Sequence, residues 1–114
     1  MTVYRNDGRF DAGNARYADG VVQLYQKARP GRPVLLEMPY IDYGLSALRA
    51  EVVGERVAAV GQQDLADLYH WLSLEGMLAG LEVQERFYEI GSPEGLRDFE
   101  AWAAEHPVGA WASH

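Results

Sequence analysis

The chain has 114 residues, with 10 basic and 17 acidic side chains for a formal charge of −7, and is 48% hydrophobic and 24% charged. That balance is the composition of a folded globular protein rather than a disordered one, and it lacks the clustered Lys and Arg that a nonspecific hold on DNA or RNA requires. Cysteine is absent, which excludes disulfides, thiolate zinc sites and cysteine nucleophiles; no apolar run reaches membrane-spanning length, so the expectation is a cytoplasmic protein with no membrane partner.

The length fits one domain, whose folding hides roughly two thirds of the unfolded surface. Thr2 to Arg5 is a short β-compatible run, and Asn6-Asp7-Gly8 reads as a turn. Asp19-Gly20 separates Asn14–Tyr17 from Val21–Tyr25, and β-branched and aromatic residues on both sides make this the clearest hairpin signal. Ala28 to Pro33 holds two prolines and a glycine and is expected to be a loop. A further strand is expected over Tyr40 to Leu48, with Gly44 inside it. Arg49 to Val53 can start a brief helix that Gly54 discourages from continuing.

Asp64 has the character of an N-cap, and Leu65, Leu68, Tyr69 and Leu72 follow at helical spacing until Gly76. Leu81–Val83 and Phe87–Ile90 are short strand candidates. Ser92 followed by Pro93 is a complete helix start, after which Leu96, Phe99, Trp102 and Ala103 share a face until Pro107. The expected architecture is α/β: a mixed sheet with a hairpin near the amino end and two main helices, near residues 64–76 and 93–105. One domain spans residues 1–106, followed by a tail over 107–114.

His70, His106 and His114 have no metal-ligand spacing, and His70 reads as a surface or boundary residue of a helix. No glycine-rich phosphate loop opens a helix after the first strand. Lys27, at a strand end before the Pro/Gly loop, is either a point charge for an anionic ligand or a solvated lysine. Asp42 either faces a ligand or occupies the solvent side of its strand. Glu89 precedes a glycine turn and a capped helix, where a carboxylate can bind a hard cation with phosphate oxygens or orient the loop.

The segments Ile41–Arg49, Asp64–Tyr69 and Glu85–Gly95 together resemble the carboxyl-terminal half of sugar-phosphate nucleotidyltransferases, nearest the mannose/heptose-1-phosphate guanylyltransferase branch. The most specific string is Phe87-Tyr88-Glu89-Ile90-Gly91-Ser92-Pro93-Glu94-Gly95; Met1–Asn6, Asn14 and the Asp19-Gly20 hairpin are similar as well. The resemblance implies a Rossmann-like, mixed but mostly parallel sheet flanked by helices. It implies a reaction in which a sugar 1-phosphate attacks the α-phosphate of a nucleoside triphosphate and pyrophosphate leaves.

Carried over residue by residue, Lys27 takes the position that contacts the sugar phosphate. Gln26 stands where many members have a glutamate for sugar hydroxyls. Asp42, Tyr43 and Gly44 match a substrate-side strand, and Glu89 stands at the second magnesium-binding position, where an aspartate is common. The family's amino-terminal nucleotide loop and first metal-binding aspartate have no counterpart in the sequence. The expectation is therefore a truncated or split member that keeps the sugar-1-phosphate side, takes Mg2+ only in a completed site, and lacks turnover alone. Self-association, or pairing with a separate amino-terminal half, is expected; the alternative is a noncatalytic assembly or interaction domain derived from that family.

Overall fold

The computed structural model describes residues 1–9, 11–33, 37–107 and 109. The elements in chain order are β1 (Thr2–Arg5), β2 (Ala15–Ala18), β3 (Val21–Tyr25), β4 (Tyr40–Asp42), α1 (Ala50–Val60), α2 (Leu65–Leu74), β5 (Leu81–Val83) and α3 (Pro93–Glu105). The protein is thus an α/β domain built on one mixed sheet of five strands in the order β3-β2-β4-β1-β5.

The hairpin forms where the sequence places it. Asp19 and Gly20 have φ of 51° and 79°, the pair of left-handed residues whose twist matches that of the flanking strands. Arg16 then faces Leu24 while Tyr17 faces Val22, so Gln23 is an extra residue that bulges β3. Two antiparallel contacts carry the sheet onward, Ala15 to Tyr40 and then β4 to β1, with Val3 opposite Asp42. Only β5 runs parallel to its neighbour, with Val3 opposite Glu82. The mostly parallel sheet implied by the family resemblance is therefore corrected to a mostly antiparallel one.

The two ends of the strand order meet. Val21 bridges Ala79, with the Val22 amide donating to Leu78 O at 2.9 Å and the Gly80 amide to Gly20 O at 2.9 Å. The sheet curls until the start of β3 pairs with the residues leading into β5, which covers part of an otherwise open edge. The bulge at Gln23 turns the Tyr25 amide to this same outer side of β3, where α2 meets it.

α2 starts as the sequence indicates: the Asp64 carboxylate accepts the Ala66 amide at 2.9 Å, satisfying one of the unpaired donors of the first turn. It stops at Gly76, whose φ is 68°. There the Met77 amide donates to Leu72 O at 2.9 Å and the Gly76 amide to Ser73 O at 3.2 Å, the paired bonds that close a helix through a left-handed glycine. Its buried face is Ala66, Leu68, Tyr69, Leu72 and Ser73. Leu65, expected on that face, is 52% exposed. The core joins this face to Val3, Ala15, Val22, Tyr25 and Leu78, and the Tyr25 and Tyr69 rings meet edge to face at 5.4 Å.

Three further expectations are corrected. The strand over Tyr40–Leu48 ends at Asp42, because the Asp42 Oδ1 accepts the Gly44 amide at 2.9 Å and Gly44 turns the chain at φ 85°, a side-chain-closed turn. The helix after Arg49 is not brief: α1 runs through Gly54 to Val60, since half-buried Val52 and Val53 packed against the core outweigh the ~1 kcal/mol helix cost of one glycine. There are thus three helices among the described residues. Phe87–Ile90 is not a strand; its rings pack instead, Phe87 on Tyr43 at 5.4 Å and Tyr88 on Trp102 at 5.3 Å.

α3 begins as expected, with Ser92 Oγ accepting the Gly95 amide at 3.0 Å and Pro93 in the first turn. Its Phe99 and Trp102 lean on Tyr88, but no α3 residue is fully buried and Leu96 is 43% exposed. Of the expected tail, residues 108 and 110–114 lie outside the described residues. Among the described residues no helix is long and apolar enough to cross a membrane.

Candidate functional site

At the carboxyl end of β3, Gln26, Lys27, Arg29, Arg32, Ala66, Asp67 and His70 line one open recess. The Pro30-Gly31 turn builds it. Arg29 and Arg32 exchange backbone bonds, Arg29 N–H to Arg32 O at 3.2 Å and the reverse at 2.9 Å, which folds the loop back toward α2. The Arg29 guanidinium then binds Asp67 at 2.9 Å and lies 3.6 Å from Asp64, fastening the loop to the first turn of the helix. The Lys27 ammonium and the Arg32 guanidinium have no ion pair or hydrogen bond among the described residues. Two uncommitted cations in a chain of charge −7 thus line the same recess.

His70 also lines this recess. Its Nδ1 lies 2.7 Å from Tyr25 O; a carbonyl oxygen only accepts, so Nδ1 carries the proton and Nε2 is the remaining ring nitrogen. One turn on, Ser73 Oγ accepts the Tyr25 amide at 3.0 Å and donates to His70 O at 2.7 Å. Both main-chain polar groups of Tyr25 on the outer side of β3 are therefore met by α2 side chains. Burial, and after it the negative charge of Asp42, push the Tyr25 phenol up to about 12, so it stays neutral near physiological pH.

Asn14 joins this recess to the Asp42 turn. Its amide donates to Tyr40 O at 3.0 Å, its carbonyl accepts the Gln26 amide at 2.8 Å, and its Oδ1 accepts the Asp42 amide at 2.9 Å. Gln26 and Asp42, far apart in sequence, are thus both anchored to one residue. The Asp42 carboxylate closes the Gly44 turn, and Tyr43 meets Phe87 edge to face.

Glu89 sits apart from Lys27, in a second recess with Arg9, Asp11, Arg86, Ser92 and Gly95. Its carboxylate accepts the Gly91 amide and, at 3.1 Å, the Ser92 hydroxyl, so it occupies the amino end of α3, where the helix dipole favours negative charge. Arg86, held to Asp98 at 2.8 Å, borders the same recess. No group of three His, Asp or Glu side chains suited to a metal occurs among the described residues. A Mg2+ ion at Glu89 would depend on water and phosphate oxygens for most of its shell.

Of the residues expected at the site, the structure brings Gln26 and Lys27 to one recess. Asp42, Tyr43 and Gly44 do not line it and are tied to Gln26 only through Asn14, and Glu89 lies in a second recess with Phe87, which touches Tyr43. Arg32 and His70 were not singled out from sequence as site residues. The basic spacing around Pro30-Gly31 was a visible signal for Arg32, whereas the docking of His70 on Tyr25 had none. Comparisons with protein-family models, curated proteins and solved structures find no match.

Proposed function

We propose that this chain is a domain of the sugar-phosphate nucleotidyltransferase type that keeps the sugar-1-phosphate side of the site. The observation that carries the proposal is the pair of cations uncommitted among the described residues, Lys27 and Arg32, lining one recess with Gln26. Lys27 and Arg32 neutralise the phosphate, one as a point charge and one as a planar fork. Gln26 offers both a donor and an acceptor to sugar hydroxyls. Asp42 holds the Tyr43-Gly44 turn of the expected substrate-side strand. Glu89 supports a magnesium ion only when nucleotide phosphates complete the shell.

Nucleotidyl transfer needs positioning and charge neutralisation on both reactants at once. No glycine-rich nucleotide loop occurs in the sequence, so the chain alone should bind without turning over, as a cytoplasmic protein working with a second copy or a separate amino-terminal half. Titration calorimetry with mannose 1-phosphate and Mg2+ tests this: binding should be lost in Lys27→Ala and weakened in Glu89→Ala. No heat at millimolar ligand would refute it. Incubation with GTP, Mg2+ and mannose 1-phosphate should release no pyrophosphate above background.

A noncatalytic assembly domain is the second proposal, favoured by the apolar side chains left on the surface. Val57, Val60 and Leu65 are 49%, 47% and 52% exposed around the α1–α2 junction, and Leu81 on β5 is 65% exposed. Unpaired surfaces of this kind are association sites or liabilities. Light scattering over a range of concentrations tests it, and a strictly monomeric particle would count against it.

A further inference from the structure

His70 is a group that the sugar-phosphate proposal leaves unused, and its chemistry fits the recess it lines. Nδ1–H is committed to Tyr25 O at 2.7 Å. The neutral imidazole therefore presents only the Nε2 lone pair, which repels an anion, and gaining a proton turns that atom into a donor. The charged groups around the recess are Lys27, Arg29 and Arg32 from the β3 end and its loop, and Asp64 and Asp67 from the first turn of α2. The two carboxylates outweigh the single charge of Arg29 by one. The five groups therefore sum to +1, which a doubly charged anion turns to −1, a setting that favours a proton on Nε2.

We propose that His70 is a third ligand of the phosphate group, taking up a proton at Nε2 when a phosphate monoester dianion binds Lys27 and Arg32. The proton comes from solvent and leaves with the ligand, so the step is a linked binding equilibrium with no covalent change. The anion class is set by this count: a net +1 plus one imidazolium matches a terminal phosphate monoester of charge −2, and matches a singly charged phosphodiester or carboxylate less well. The inference rests on the sugar-phosphate proposal for the recess and adds a residue and a proton to it.

The experiment is calorimetry of mannose 1-phosphate binding at about pH 7.5 in buffers of different ionisation heat, which reads the protons exchanged. The native chain should take up a substantial fraction of one proton more than His70→Asn. Asparagine keeps a donor of Nδ1 geometry for Tyr25 O and removes Nε2, so the fold is expected to persist, and circular dichroism checks that it does. The phosphate's own titration, with a second pKa near 6, contributes equally to both proteins and cancels in the difference. Affinity should fall about tenfold in His70→Asn, roughly the value of one charge-assisted hydrogen bond.

A measurement that needs no variant is the ring nitrogen NMR signal of His70. On adding ligand it should move from the Nδ1–H form toward imidazolium, with His106 and His114 as internal references. Binding of normal affinity with no His70-dependent proton uptake and no ring change would overturn the inference while leaving the sugar-phosphate proposal standing. Absence of binding would overturn both. Equal affinity for methyl phosphate and dimethyl phosphate would overturn the choice of a dianion.

Discussion

Replacing Ser73 by alanine removes the link between α2 and the outer side of β3. Ser73 is 4% exposed, and its hydroxyl accepts the Tyr25 amide at 3.0 Å while donating to His70 O at 2.7 Å. The His70 carbonyl loses little, because it lies within the helical bonding ladder. The Tyr25 amide loses its partner, since the bulge at Gln23 has turned it away from β2 and toward α2. An orphaned buried donor costs about 1–3 kcal/mol, so Ser73→Ala should lower stability by about 2 kcal/mol. A domain of this length is stable by roughly 6–17 kcal/mol, and the loss should lower Tm by about 8 °C. Urea unfolding followed by tryptophan fluorescence measures it, with an unchanged m-value marking a pure stability effect. Ser46→Ala is the contrast: the Ser46 hydroxyl is buried with no partner among the described residues, so its removal should leave stability unchanged or slightly raised. A loss below about 0.5 kcal/mol for Ser73→Ala would refute the claim that this hydroxyl is the partner on which the Tyr25 amide depends.

Gly13→Ala should prevent stable folding, because a Cβ there would overlap the main-chain carbonyl of Met38; a soluble variant with native circular dichroism and melting would contradict the close approach. Asp64→Ala should lose about 1 kcal/mol as the α2 cap disappears, whereas Asp64→Asn keeps the cap and should lose only a few tenths, both read from urea midpoints. Alkaline stability should depend on Tyr25. Its folded pKa of about 12 stands above the ordinary 10, so its contribution is full below about pH 10 and is lost as pH rises through about 12. That loss amounts to on the order of 2–3 kcal/mol, and it should be missing from the pH profile of Tyr25→Phe.

Several local decisions were legible in the sequence because each is settled within a few residues. Asp19-Gly20 supplies two left-handed residues in succession, and no tertiary contact is needed to make that a hairpin turn. Asp64 and Ser92 each accept an amide from the turn that follows them, so the helix starts depend on chemistry two or three residues away. The spacing of Leu68, Tyr69 and Leu72 placed one face of α2 in the core. Asp42 ends β4, and Lys27 lies two residues past the end of β3.

What the sequence could not determine was which local options would find partners. The Tyr40–Leu48 run had strand character throughout, yet pairing ends where Asp42 closes the Gly44 turn. The Phe87–Ile90 run has strand character too, and its rings are taken by Tyr43 and Trp102 instead. Gly54 weakens α1 locally, and packing of Val52 and Val53 overrides it. The same holds for the site. Asn14 joins Gln26 to Asp42 largely through main-chain bonds, and His70 enters the recess because α2 docks on the bulged side of β3. Main-chain hydrogen bonds carry no side-chain signature, and docking depends on the curl of the whole sheet. Sequence alone determined the turns, caps and the buried face of one helix; the strand order, the curl and the meeting of Lys27, Arg32 and His70 were decided only when distant segments competed for the same donors, acceptors and apolar surface.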